Sequence, residues 1–131
     1  TPNWVNECIA TLQKTKGIGL VGPINNNPRI LTQSFVSRKH KDIFGYFFPP
    51  EIINWFCDDW INNIYKTIDR FVPLLNKYLI NIGGCPRYNI DNKNYSTRDE
   101  LNNIIKNTRK LCNDMVNRDL KKIFTKKINN Q

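Results

Sequence analysis

Two adjacent acids, Asp58 and Asp59, stand inside an otherwise aromatic and apolar segment, WFCDDWI at residues 55–61. A carboxylate beside large apolar side chains costs free energy unless it is paired or used in chemistry. One interpretation is structural: either acid caps a helix while Trp60 and Ile61 pack below it. The other is functional: a carboxylate in a partly apolar cleft has its pKa tuned for taking a proton from a substrate.

The single histidine, His40, stands in a basic segment with Arg38, Lys39 and Lys41. A surface histidine is one interpretation of this setting. The alternative is contact between His40 and a phosphate or another group of a substrate, assisted by Arg38.

The cysteines are widely spaced and form no C-x-x-C pair, so the sequence predicts no zinc site and no other metal site. We expect free, mostly buried thiols in a reducing, cytoplasmic setting, with disulfides as the alternative on a secretory route. Asn94-Tyr95-Ser96 fits the N-glycosylation pattern, a triplet that also arises by chance in an Asn-rich chain. The four cysteines are Cys8, Cys57, Cys85 and Cys112.

The bulk composition indicates one folded domain over residues 1–131, with 40% hydrophobic and 11% aromatic residues. No apolar run reaches the length of about 18 residues that a membrane span needs. The net charge of +9 favours anionic partners such as nucleic acid, nucleotide phosphates or acidic membranes. Asn, Ile and Lys are abundant throughout, which suggests coding bias, so this charge alone is weak evidence of function.

The order of predicted elements begins with a helix and a strand, which favours an α/β fold. The first helix is predicted to start at a Thr1-Pro2 cap and to run to about Lys16. Strands are predicted at 18–22 and 29–36, followed by a Ser37-capped helix that Gly45 ends.

The second half is predicted to hold a helix at about 51–67, one or two strands at 71–82 and a long C-terminal helix. Pro73 limits the first of these strands to an edge or a bend. Ser96-x-x-Asp99 is a variant capping signal for the long helix. We expect Leu101 and Ile105 to be buried core residues of this helix. Its predicted apolar positions are Leu101, Ile104, Ile105, Leu111, Cys112, Met115, Leu120 and Ile123.

The order of these segments resembles the second half of family 2-type glycosyltransferases of the GT-A fold. Such enzymes carry a glycine-aromatic turn and, about ten residues later, an acidic pair, which here match GYFF at 45–48 and DDWI at 58–61. The string over residues 21–65 is similar to glycosyltransferase-like proteins of large DNA viruses and some protists. The resemblance implies an α/β, partial GT-A three-layer fold with a small mixed sheet, as the C-terminal, acceptor-side part of the domain.

The resemblance also implies roles for individual residues. Asp59 would be the base that deprotonates the acceptor hydroxyl, with Asp58 supporting it. The substrate-binding candidates are Trp55, Trp60, Tyr46, Gly45, Arg38 and His40. For each aromatic ring, core packing is an equally good interpretation.

The implied reaction transfers a sugar from a nucleotide-sugar donor to a hydroxyl group on a glycan or protein acceptor. Enzymes of this kind hold the donor diphosphate through Mn²⁺ or Mg²⁺ at a D-x-D motif, which this chain lacks. The metal is therefore expected only with a donor-binding half, in the same or another chain, and this chain alone is expected to be inactive.

The rival hypothesis is a non-catalytic basic module that binds glycan or nucleic acid. Nucleic acid is the less favoured partner, because the aromatic residues cluster around the acids and not among the lysines, as a stacking platform would need.

Overall fold

The computed structural model describes residues 3–80, 82, 90 and 93–128. Within them, four helices accompany a two-stranded parallel sheet, which confirms the predicted α/β class. No helix in these ranges is long and apolar enough to cross a membrane. The elements are α1 (Trp4–Lys14), β1 (Leu20–Asn25), α2 (Arg38–Phe44), α3 (Cys57–Thr67), β2 (Phe71–Leu79) and α4 (Arg98–Ile128).

The first helix and strand occur close to where the sequence predicts them. The proposed Thr1-Pro2 cap lies outside the described residues, and Asn3 is the observed N-cap of α1. β1 begins two residues later than expected and continues through Pro23 to Asn25. Gly22 is required in this strand, because a Cβ there would lie 2.2 Å from the carbonyl oxygen of Gln33.

The prediction of a strand at 29–36 is wrong. Phe35 makes one isolated antiparallel bridge with Val21, and no strand forms over these residues. The side chain of Asn62 on α3 instead accepts from the Leu31 amide at 2.8 Å and donates to the Leu31 carbonyl at 3.0 Å. A side chain thus satisfies backbone groups that a neighbouring strand would otherwise pair.

Both predicted ends of α2 are confirmed. The Ser37 hydroxyl accepts a hydrogen bond from the Lys39 amide at 3.1 Å, as an N-cap does. Gly45 ends the helix with φ of +87°, in the left-handed region that favours glycine.

The helix predicted at 51–67 begins later, at Cys57. Asn54 and Phe56 have φ values of 67° and 71°. A right-handed helix cannot pass through residues in the left-handed region, so residues 51–56 form turns and only the later part is helical.

Of the one or two strands predicted at 71–82, the described residues form one, β2. It runs parallel to β1, and Pro73 lies opposite Gly22 in the register. The Leu20 amide donates to the Arg70 carbonyl at 2.9 Å. Because successive residues of a strand face opposite neighbours, the Pro73 nitrogen faces away from β1, which confirms its predicted edge position.

The capping signal of α4 lies one residue later than predicted. The Glu100 amide donates to the Thr97 hydroxyl at 3.2 Å, and the Glu100 carboxylate accepts from the Thr97 amide at 3.1 Å. This is the reciprocal pattern of a capping box, with Thr97 in place of Ser96 and Glu100 in place of Asp99.

The buried face of α4 lies in its middle and C-terminal parts. Leu101 and Ile105 are only partly buried, so the prediction that they are buried core residues is wrong. The buried positions of α4 recur at helical spacing and are Thr108, Cys112, Val116, Asp119 and Ile123. This face packs with α2, α3 and β1 in a core that includes Leu20, Phe44, Trp60, Ile61, Ile64 and Tyr65.

Candidate functional site

A cleft of about 560 Å³ opens between the loop after β1, the start of α3 and the face of α4. Its volume lies in the range of about 300–1,000 Å³ that is usual for ligand sites. The cleft is lined by Arg29, Ile30, Asn54, Trp55, Phe56, Asp58, Asp59, Asn63, Ile105, Arg109, Cys112 and Asn113.

Asp58 and Asp59 both line this cleft from the first turn of α3. The N-cap residue of α3 is Phe56, and no side chain caps the helix. The interpretation that either acid is an N-cap is therefore wrong. The first turn carries the positive end of the helix dipole, which favours negative charge at this place.

The pKa of Asp58 is raised from 3.8 to about 6. Burial of the carboxyl group is the main cause, and repulsion from the neighbouring Asp59 carboxylate adds to it. A carboxyl group whose pKa lies close to neutral can both take up and release a proton under physiological conditions, as acid–base chemistry requires.

The pH dependence of stability tests this environment. The pKa of Asp58 in the folded protein lies above its ordinary value of 3.8. Its favourable contribution to the free energy of unfolding is therefore complete below pH 3.8 and is lost as the pH rises through about 6. Asp58→Asn is therefore expected to stabilise the protein at about pH 8 and to have little effect at about pH 4. The difference between the two pKa values limits the gain in the free energy of unfolding to about 3 kcal/mol. Because water reaches the carboxyl group, we expect a gain on the order of 1 kcal/mol.

Urea denaturation at the two pH values measures this gain. Asp69→Asn is the matched control, because Asp69 is exposed and Asn tolerates its φ of 55°. An Asp58→Asn variant that is equally or less stable than the parent protein at the higher pH would contradict the assigned environment.

The segment before the acids is conformationally strained. Asn54 and Phe56 adopt left-handed backbone conformations, and a bulky side chain in that region costs about 1–2 kcal/mol. Contacts from α4 hold this segment: Arg109 lies 5.6 Å from the Phe56 ring centroid, and the Cys112 thiol donates to the Phe56 carbonyl at 3.7 Å. Such strain clusters at functional sites, where the surrounding structure maintains it.

Two arginines that no sequence pattern singles out lie in the cleft. Arg29 comes from the loop after β1 and Arg109 from α4, 80 residues further along the chain. No local pattern connects them with the acids at 58 and 59, so only the folded structure brings them together.

Trp55 lines the cleft, whereas Trp60 does not. Trp60 is fully buried, and its ring lies 5.5 Å from that of Phe44 and 5.8 Å from that of His40, centroid to centroid. Within the described ranges its indole nitrogen has no hydrogen-bond partner. Trp60 is therefore a packing residue in this structure, while Trp55 keeps a surface on which a ligand can stack.

His40 is buried, so the surface interpretation is wrong. Its Nε2 lies 2.9 Å from the Phe47 carbonyl and its Nδ1 lies 2.8 Å from the Tyr65 hydroxyl. A carbonyl only accepts, so Nε2 carries the proton and Nδ1 accepts from Tyr65. Burial lowers the pKa of His40, although the bond to Phe47 opposes this, and the ring is a neutral core residue away from the cleft.

The remaining predicted residues also lie outside the cleft. Tyr46 donates its hydroxyl proton to the buried carboxylate of Asp119 at 2.7 Å. Gly45 is the end of α2, and Arg38 is an exposed side chain 4.0 Å from Asp42. The cleft thus contains Asp58, Asp59 and Trp55 from the predicted set.

The contact of Tyr46 belongs to an ionic cluster between α4 and the turn after α2. Asp119 is fully buried, accepts from Arg118 at 2.9 Å and forms an ion pair with Lys122 at 3.0 Å. Arg118 also pairs with Glu51, so the cluster holds the turn that leads to the cleft.

Replacing Asp119 with Ala is expected to lower the free energy of unfolding by about 2–3 kcal/mol, because the buried charge loses its hydrogen bonds from Tyr46 and Arg118 and its ion pair with Lys122. Asp114→Ala on the exposed face of α4 is the control for charge and helix propensity. Equal thermal stability of the two variants would show that the ionic cluster does not stabilise the turn after α2.

The described ranges contain no group of three or more His, Cys, Asp or Glu side chains suited to a metal ion. Cys8, Cys57 and Cys112 are not in disulfide bonds, and Cys85 lies outside those ranges. Comparisons of the chain with family models, curated proteins and solved structures give no match.

Proposed function

We propose that this chain is the acceptor-side part of a glycosyltransferase, and that its cleft binds the hydroxyl-bearing acceptor beside Asp58 and Asp59. The observation that carries the proposal is the exposure of both acids to a cleft of ligand size that also holds Trp55. The glycine-aromatic turn at 45–48 and the acidic pair at 58–59, which resemble motifs of the GT-A enzymes, support the same function.

The composition of the cleft suits a saccharide. Carboxylates and asparagine side chains exchange hydrogen bonds with hydroxyl groups. The Trp55 ring offers an apolar face to a sugar ring, and Phe56 and Ile30 add apolar surface. Seven of the twelve lining residues are polar or charged, which suits a ligand that carries many hydroxyl groups.

In the proposed reaction, the acceptor hydroxyl oxygen attacks the anomeric carbon of the donor sugar. The bond from this carbon to the nucleotide diphosphate breaks, and the configuration inverts. Asp59 takes the hydroxyl proton, in the role that the resemblance gives it, and Asp58 beside it strengthens the negative field that favours this transfer. A donor-binding half would supply the D-x-D carboxylates that hold Mn²⁺ or Mg²⁺ at the diphosphate.

Saccharide binding to the isolated chain tests the proposal without the donor half. Amide chemical shifts are followed by NMR while glucose, galactose, mannose or N-acetylglucosamine is added. We expect at least one sugar to shift the amides of Trp55, Asp59 and Arg109. Asp59→Asn should weaken this binding by a few-fold, through the loss of about one charged hydrogen bond.

Asp69→Asn, which removes an acid outside the cleft lining, should bind the sugar like the parent chain. Shifts confined to other parts of the surface, or none with any sugar, would contradict the proposal. Cleft binding combined with no sugar transfer by a protein that includes a donor half would instead support a non-catalytic glycan-binding module.

A further inference from the structure

The two arginines of the cleft have no acidic partner in the described ranges. Arg29 and Arg109 form no ion pair there, whereas Arg118 pairs with both Glu51 and Asp119. Both residues are exposed and line the same cleft as the acids of α3. Their guanidinium groups are thus available to an anionic group of a ligand.

The backbone around Arg29 is held in place before any ligand binds. The Arg29 amide donates to the Asn27 side chain at 3.0 Å, and Lys66 donates to the Arg29 carbonyl. The next carbonyl, that of Ile30, accepts from the Asn25 side chain at 3.2 Å. A loop fixed in this way loses little conformational entropy when its side chain binds a ligand.

Arg109 is also positioned in advance. It extends from α4 over the Phe56 ring, 5.6 Å from the ring centroid, and this cation–π contact restricts the guanidinium group. Phe56 is two residues before Asp58, so Arg109 lies beside the start of the helix that carries both acids.

We propose that the acceptor is an acidic saccharide, whose carboxylate or phosphate group binds Arg29 and Arg109 while a hydroxyl group faces Asp58 and Asp59. This inference rests on the proposed function and names its substrate class. Guanidinium groups bind carboxylate and phosphate oxygens through paired, charge-assisted hydrogen bonds. Repulsion keeps the anionic group away from the acids, so the opposite charges of the cleft orient the ligand.

The test compares sugars of one ring type by NMR titration: glucose, glucuronate and glucose 6-phosphate, with inorganic phosphate alone. We expect at least one of the acidic sugars to bind about tenfold or more tightly than glucose, the usual gain from a hydrogen bond to a charged group. The tighter of the two identifies a carboxylate or a phosphate ester as the recognised group. Inorganic phosphate should bind more weakly than that sugar, because it lacks the ring.

Arg29→Gln and Arg109→Gln should each lower affinity for the acidic sugar about tenfold, and should lower affinity for glucose by a clearly smaller factor. Arg98→Gln, an exposed arginine of α4 outside the cleft lining, is the matched control and should have no effect. Arg109→Lys keeps the charge but loses the paired geometry, so its affinity should lie between those of the parent and the Gln variant.

Three results would overturn the inference. Equal binding of glucose and both acidic sugars, with no effect of the arginine variants, would refute the acidic substrate and leave the proposed function standing. Inorganic phosphate binding as tightly as glucose 6-phosphate would show that the sugar is not recognised. If no sugar, neutral or acidic, shifts the cleft amides, the proposed function fails together with the inference.

Discussion

Replacing Asp59 with Asn is expected to lower sugar transfer by about 100-fold to 10,000-fold in a protein that contains this chain and a donor-binding half. The substitution keeps the size of the side chain and much of its hydrogen bonding, but it removes the basicity that the reaction needs. Donor binding should be unchanged, because in the proposed reaction the donor-binding half holds the nucleotide. Initial rates of donor consumption, with donor affinity measured separately, give the comparison.

Asp58→Asn and Asp69→Asn are the matched variants for this experiment. Asp58→Asn should cost less turnover than Asp59→Asn, and Asp69→Asn should cost none. If Asp58→Asn is the more damaging variant, and the parent loses activity as the pH falls below about 6, the base is Asp58, whose pKa is raised to that value. Full turnover in both cleft variants would mean that neither acid takes part in the reaction.

Replacing Ile123 with Ala is expected to lower the free energy of unfolding by about 2–5 kcal/mol, through lost apolar burial and the cavity that remains. Ile123 is 2% exposed and belongs to the main core cluster. The docking of α4 therefore depends on its C-terminal half, which urea denaturation can measure directly.

Leu101→Ala in the first turns of α4 is the control for this substitution. Leu101 is only partly buried, so its replacement should cost about 1 kcal/mol or less on the basis of area removed from water. A larger loss in the free energy of unfolding for Leu101→Ala than for Ile123→Ala would mean that α4 packs on the core through its N-terminal part.

The helices were predictable where local residues determine them. Ser37 and Gly45 fix the two ends of α2 through a side-chain cap and a left-handed turn, both of which depend on neighbouring residues only. The start of α3 was not predictable, because Phe56 adopts a backbone conformation that its own side chain disfavours. Contacts with α4, distant in the sequence, hold Phe56 there.

The candidate site was predictable only in part, for the same reason. Asp58 and Asp59 stand out because they are acids in an apolar segment, and the folded structure brings both to a cleft. Arg29 and Arg109 are ordinary members of a lysine- and arginine-rich chain until the fold brings them to that cleft. Conversely, His40 looked like a surface residue among cations, yet its helix turns it into the core.

Binding of the acceptor beside Asp58 and Asp59 is tested most directly by an NMR titration of their side-chain carboxyl carbons. The titration is done with and without saturating saccharide. If a hydroxyl group of the ligand lies beside these acids, binding will change the carboxyl chemical shifts of both residues. It will also move the apparent pKa of Asp58 from its starting value of about 6. Carboxyl titration curves that are identical with and without every saccharide tested would contradict the claim that this cleft binds the acceptor.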